Sequence, residues 1–218
     1  MAIDEIRKEY DAAITKLTAD VNALSEQLAT LGNQKQSETH NQAEPKVKNL
    51  QKQVWRLENS AVACDIRING VPHQEQENLP EIFEKICNAA GIPTPTVTNA
   101  QRRQYIAGKK VTDGPIIVQL KTPGQKIEVL KGMSDYKKAK NDVLRLKDAG
   151  FDSDAPMYVS ENLTKKNHEI LLRAKQKKKK NKLYAAFTLR GLVHVTINEN
   201  NPPVMIETLD QLEDLFRP

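Results

Sequence analysis

Residues 63–92 read ACDIRINGVPHQEQENLPEIFEKICNAAGI, and their pattern decides the architecture of the globular part. Ile66 and Ile68 alternate with polar neighbours, and the run stops at Gly70 and Pro72. That spacing predicts a strand over 63–69 that ends in a turn. Residues 79–90 follow with Pro80 near the start and Gly91 just past the end, the asymmetry of a helix. Ile82, Phe83, Ile86 and Ala90 fall on one helical face. Strand, turn and amphipathic helix in 30 residues describe a packed α+β unit.

Working outward, residues 97–106 suit a second strand carrying Arg102 and Arg103. Residues 108–114 (GKKVTDG) read as a turn-rich basic loop with Lys109 and Lys110. Residues 115–121 (PIIVQLK) make the clearest strand in the chain and end on Lys121. Residues 125–147 predict one or two helices, with Ile127, Val129, Leu130, Val143, Leu144 and Leu146 as apolar positions and Lys137 and Lys138 among the polar ones. The order is β-α-β-β-α. One further strand, for which residues 157–160 are the candidate, completes a ferredoxin-like split βαβ sandwich. RNA recognition motifs share that topology and stack bases on sheet aromatics. The third strand here offers Ile116, Ile117, Val118 and Leu120 instead, so capture of the phosphate backbone by basic residues is the expected mode.

Beyond residue 150 a second, smaller α/β unit is expected. Thr164 suits an N-cap for a helix through Ile170, Leu171, Leu172 and Ala174 that runs into KQKKKKNK, residues 175–182. Residues 183–189, 192–197 and 204–206 are strand-like, and Arg190–Gly191 joins the first two as a hairpin. Leu209, Leu212 and Leu215 mark a last short helix.

The N-terminal 60 residues have a different character. Tyr10, Leu17, Leu24 and Leu31 recur every seven residues, and Ile14, Val21 and Leu28 recur in the offset series. This is an a/d heptad seam, a narrow stripe that seeks a partner helix. It stops at Gly32; residues 32–46, with Pro45, read as a linker or break. The spacing resumes in a shifted register at Val47, Leu50, Val54 and Leu57. The arm is then an interrupted oligomerising coil, a helix folded back on a second one, or an amphipathic helix docked on its own domain. The predicted organisation is a coiled-coil arm over 1–60, a sandwich domain over 61–150 and a C-terminal α/β domain over 151–218.

Charge is unevenly placed. Residues 101–147 hold 12 basic and 4 acidic side chains, and residues 164–190 hold 10 and 1, against a net charge of only +5 for all 218 residues. Clustered positive charge in the globular part is the footprint of a polyanion binder. The lysine run 177–180 also fits a localisation signal or a solvated helix end whose cations suit the dipole. No phosphate loop, G-x-S-x-G elbow or H-E-x-x-H is present, and His40, His73, His168 and His194 are scattered. An enzyme is not expected, and neither is a cofactor or a metal. Cys64 and Cys87 read as apolar residues of a strand and a helix in a reducing compartment. No stretch is long and apolar enough to span a membrane, and the start, MAIDEIRKEY, lacks a signal-peptide core. An intracellular location, cytoplasmic or nuclear, is expected.

Residues 56–92, RLENSAVACDIRINGVPHQEQENLPEIFEKICNAAGI, resemble the stretch after the coiled coil in first-open-reading-frame proteins of LINE-type retrotransposons. The same block occurs in insect relatives of the baculovirus FP (few-polyhedra) protein. Leu57, Glu58, Asn59, Ile66, Ile68, Gly70 and Pro72 carry the match. Further on, the basic segment with Arg102, Arg103, Lys109 and Lys110, the PIIV strand, the ENLT of 161–164, the helix with Leu171, Leu172, Arg173 and Ala174, and the hairpin around Gly191 extend it to residues 47–215. Gln101 stands where the family commonly has a histidine, and the lysine run is denser than the family pattern.

The resemblance implies an oligomerising coiled coil, a non-standard RNA recognition motif, and a C-terminal unit that closes over a single strand. It implies nucleic-acid contacts by Arg102, Arg103, Lys121, Arg173 and Arg190. The charge pattern adds Lys109, Lys110, Lys137, Lys138, Lys177 and Lys178. The expected function is a homo-oligomeric, dimeric or trimeric protein that binds single-stranded RNA or DNA and acts in packaging or as a chaperone. The alternative is an FP-like coiled-coil adaptor in transport or envelopment, whose basic blocks meet acidic proteins or membrane surfaces.

Overall fold

The structure is a computed structural model that describes residues 2–31, 38–107, 110–180 and 182–217. The chain divides into two compact units, residues 1–62 and 63–218.

In the first unit, α1 (Ala2–Leu31) packs against α2 (Glu38–Ala61). Ile14, Leu17, Val21 and Leu24 of α1 are half-buried, as are Val47, Leu50, Val54 and Leu57 of α2; Tyr10 stays exposed. The side chains of Leu28 and Leu31 lie outside the described residues. The expected linker over 32–46 is shorter than read, because α2 already begins at Glu38 and carries Pro45 inside it. A proline within a helix forfeits a hydrogen bond and crowds the preceding turn. Helices in proteins are held chiefly by packing of their apolar face, and α2 has α1 to pack on.

The second unit is α+β and contains two antiparallel sheets. The first is built from β1 (Asp65–Asn69), β2 (Val97–Ala107), β3 (Lys110–Leu120) and β4 (Tyr158–Glu161), in the order β2-β3-β1-β4. Between them lie α3 (Leu79–Ala89) and α4 (Pro123–Lys140). Alternation sends Ile66, Ile68, Ile116 and Val118 to one face, where Ile82, Phe83 and Ile86 of α3 and Val129 of α4 complete the core. The helices start as the sequence directs. Asn78 caps α3 by accepting from the Glu81 N–H, and Thr122 caps α4 by accepting from the Gln125 N–H. Asn141, in the left-handed region, ends α4.

Two local expectations are corrected. The basic loop over 108–114 is largely strand. β2 and β3 form a long ribbon in which Gln104, Tyr105, Ile106 and Ala107 pair with Asp113, Thr112, Val111 and Lys110. Gly114 and Pro115 sit within β3 beside a register shift at Arg102/Gln104, which accommodates the turn-forming residues without ending the ladder. The fourth strand runs over Tyr158–Glu161, one residue beyond the segment read from the sequence, and pairs with β1. Gly70 ends β1 at φ +94°, and a Cβ there would lie 2.7 Å from the Pro156 carbonyl oxygen, so the strand's exit requires glycine.

After β4, α5 (Lys165–Lys179) is capped by Thr164. It packs with α6 (Leu209–Asp214) on a second sheet of β5 (Ala185–Leu189), β6 (Leu192–Thr196) and β7 (Val204–Ile206), in that order. Ile170, Ala174, Val193, Val195, Ile206 and Leu212 form this second core. The β5–β6 hairpin turns through Arg190 and Gly191, both left-handed at φ 54° and 78°, the geometry of a tight two-residue hairpin.

A buried polar junction joins the two sheets. Glu161, at the end of β4, receives the Gly191 N–H at 2.8 Å and an ion pair from Lys126 of α4 at 3.4 Å. Asn167 of α5 donates to the Gly191 carbonyl at 2.8 Å, and Asn162 donates to Asp65 at 3.0 Å. Lys126, Asp65, Asn162 and Asn167 are all at most 2% exposed. Among the described residues no helix is long and apolar enough to cross a membrane.

Removing one member of a buried ion pair leaves an uncompensated charge, a loss of about 3–5 kcal/mol. Lys126→Met is expected to lower stability by that amount in urea denaturation, and Lys126→Met with Glu161→Gln to recover part of it. A single substitution that shifts the midpoint negligibly would show that the pair does not hold the junction.

Candidate nucleic-acid interface

The first sheet has a face turned away from α3 and α4. Ile66 and Ile68 face α3 and α4, so Arg67 and Asn69 point the other way. Their registered neighbours on that side are Ile117 of β3 and Ser160 and Tyr158 of β4. Tyr158 is 52% exposed, which makes it a stacking-capable aromatic on a surface where none was expected. Arg67 donates through Nε to Asn69 Oδ1 at 3.1 Å, which fixes its side chain along the strand. Next to it an open groove of about 700 Å³ is lined by Arg67, Asn69, Pro72, His73, Pro115 and Ser153, among others.

The second basic segment meets this face at His168, in the first half of α5. Burial holds its imidazole pKa below the usual histidine range, and the charges of Arg67 and Lys175 push it the same way. A cation of the first sheet and a cation of α5 thus act on one ring. Arg173, Lys175, Lys178, Lys179 and Lys180 of the same helix region are exposed. Arg190 is exposed in the hairpin turn that Glu161 and Asn167 clamp.

The expected contact residues separate into groups. Arg103 and Lys121 are exposed, on β2 and directly after β3. Lys137 and Lys138 are exposed in the last turn of α4, with Asp135 at 4.0 Å from Lys138. That helix packs on the Ile66 side of the sheet, opposite Arg67, so these lysines do not share a face with it. Among the described residues the first basic block is therefore split between elements. Lys177 turns inward: its ammonium lies 2.7 Å from Glu213 and 4.4 Å from the Phe216 ring centre. Lys109 lies outside the described residues, as does the side chain of Lys110.

Arg102 requires a correction. Its guanidinium donates to both carboxylate oxygens of Glu77, at 2.7 and 2.6 Å, and to the carbonyls of Val71 and Gly114 at 3.0 and 3.1 Å. Its side chain is only 6% exposed. This fork is saturated from within and ties the β1–α3 connection to β2 and β3. The Arg102 hydrogen bonds hold Glu77 below the usual carboxylate range. A depressed carboxylate pKa stabilises the fold above its ordinary value, and that contribution is lost as the pH falls through the lowered one. The paired arginines of the sequence have different work, and only burial distinguishes them.

Arg67, Tyr158 and His168 were missed by sequence reading. Arg67 is an isolated charge in an acidic stretch and gives no cluster signal. Its strand parity, opposite to Ile66 and Ile68, was the available clue. Cys87 is buried, and burial pushes its thiol up to about 12, which suits the apolar role expected; Cys64 is only half-buried. Among the described residues no group of His, Cys, Asp or Glu is arranged to hold a metal ion.

The chain matches no protein-family model, and no curated protein matches its sequence.

Arg102→Ala is expected to lower stability by about 3–5 kcal/mol, because it takes the guanidinium from Glu77 and leaves the Val71 and Gly114 carbonyls without their donor. Arg103→Ala should leave the denaturation midpoint within about 0.5 kcal/mol, as exposed substitutions do. Equal midpoints for the two variants would contradict the structural role assigned to Arg102.

Proposed function

We propose that this chain is a single-stranded nucleic-acid-binding protein, with RNA as the first candidate, that assembles through its arm and acts in packaging or as a chaperone. The observation that carries the reading is the exposed cation series of α5, Arg173, Lys175, Lys178 and Lys179, together with the face of the first sheet turned away from α3 and α4, where Arg67 lies and Tyr158 is exposed. The β-α-β-β-α-β order and the β2-β3-β1-β4 pairing support an RNA-recognition-motif-like sandwich over the first sheet. On that reading the groove beside Arg67 and Asn69, with exposed Tyr158, takes the strand, and Arg103, Arg173, Lys175, Lys178 and Arg190 neutralise its phosphates. Arg102 and Lys177 are left out, since their charges are used internally.

The arm adds avidity. The Ile14–Leu24 part of the seam is only half-buried although α1 already contacts α2, so apolar surface remains for further helices. Joining several weak sites in one oligomer multiplies their effective affinity. The resemblance to first-open-reading-frame proteins of LINE-type retrotransposons supports the same reading, whereas the FP-protein branch suggests the adaptor.

Fluorescence anisotropy with a labelled ~30-nucleotide RNA tests it. About 5–7 neutralised phosphates give a log–log salt slope near −4 to −5. No binding at low salt would remove the function and leave the adaptor reading, with the basic surfaces meeting acidic proteins or membranes.

Deleting residues 1–31 is expected to reduce the oligomer to smaller species by light scattering. An unchanged mass would sink the coiled-coil role of the arm.

A further inference from the structure

The second sheet carries a surface that the preceding reading does not use. Val193, Val195 and Ile206 point inward to α5 and α6, so the opposite set faces out. Registered pairs place Phe187 beside His194, Leu189 beside Leu192, and His194 beside Met205 on that outward side. Phe187 is 38% exposed, Leu189 55% and Met205 39%. Isolated exposed apolar residues are ordinary, but a contiguous patch on a flat sheet marks a contact surface.

Its chemistry points to one kind of occupant. The Phe187 and His194 rings are nearly parallel, with a 16° interplanar angle and centres 5.7 Å apart. Stacked on each other across adjacent strands, they make this part of the face aromatic instead of aliphatic. Arg190 is exposed in the turn that joins β5 to β6, at one end of this face. Aromatic rings beside a cation are the arrangement that takes unpaired bases and their phosphates, because every base has a π face and stacking needs no sequence code. Arg190 is also held in place, since the Gly191 N–H and carbonyl beside it are bound by Glu161 and Asn167.

We propose that the outward face of the second sheet, centred on the stacked Phe187–His194 pair, is a base-stacking platform for an unpaired nucleic-acid strand, with Arg190 on its phosphates. This rests on the single-strand-binding reading above and assigns to it a surface that contacts bases. Binding there is sequence-tolerant, and it discriminates a single strand from a base-free polyanion.

The test compares full-length protein with its Phe187→Ala and Phe187→Leu variants, the latter keeping apolar bulk while removing the ring. Each is titrated with labelled oligouridine and with inorganic polyphosphate, and folding is checked by thermal denaturation. Both variants should bind oligouridine about tenfold more weakly, in the range of one lost stacked base, with the salt slope and polyphosphate binding unchanged. Phe187→Trp should keep the affinity. Oligouridine binding by Phe187→Leu equal to that of the unaltered chain overturns the platform while leaving the phosphate-binding function standing. Variants that change only the oligomer mass by light scattering also overturn it, and assign the patch to contact between copies. An unaltered chain that binds neither probe removes the function itself, and the platform with it.

Discussion

The carboxylate of Glu161 is the interaction on which the larger unit depends. It lies at the last position of β4, where the first sheet ends and the chain turns toward α5. One oxygen receives both the Lys126 ammonium from α4 and the Gly191 N–H from the β5–β6 turn. Burying a carboxylate and an ammonium carries a large desolvation penalty, and the pair persists because geometry and an added backbone donor offset it. The same residue therefore joins an edge strand, a helix of the first layer and the hairpin of the second sheet. Asn167 completes the clamp from α5 by binding the Gly191 carbonyl. A polar junction of this kind specifies orientation more sharply than apolar contact, because a small shift leaves a buried donor or acceptor unpaired.

The fold decides which cations remain at the surface. The chain is rich in lysine and arginine, but the fold draws some of them inward. Arg102 locks a loop onto Glu77, Lys126 lies in the core, and Lys177 is held by Glu213 and Phe216. Among the described cations that stay outside are Arg173, Lys175, Lys178 and Lys179 of α5, Arg103, Lys121, Arg190 and the α4 lysines. The geometry then divides these again, since α4 packs on the side of the sheet away from Arg67. The remaining basic surface is smaller than composition suggests and more directional.

Aromatic placement follows the same logic. The PIIVQLK strand of the first sheet carries no ring, and the β-branched residues there serve the core and its rear face. Tyr158 enters that sheet from β4, 40 residues later in the chain than Val118. Phe187 and His194 meet because β5 and β6 pair in a register set by a two-residue turn. Exposed rings are thus found on both sheets among the described residues, and β1 and β3 carry none.

Much of this was legible in local patterns, and for local reasons. Alternation of Ile66 and Ile68, the Pro80–Gly91 bracket and the Arg190–Gly191 turn each depend on a few adjacent residues, so strand, helix and hairpin were readable one by one. The heptad seam was equally clear, because its period is a property of the helix alone. The α+β class and the element order followed. Tertiary structure alone decided the rest. It carried β3 through Gly114 and Pro115, since a paired ladder supplies hydrogen bonds that turn propensity cannot outweigh. It continued α2 through Pro45 by packing it on α1. It separated Arg102 from Arg103, two neighbours of identical chemistry, by placing one against a buried glutamate and the other in water. Charge clusters show in a sequence as neighbours along the chain, whereas a binding surface is made by neighbours in space, and strand pairing and helix packing decide which of the first become the second.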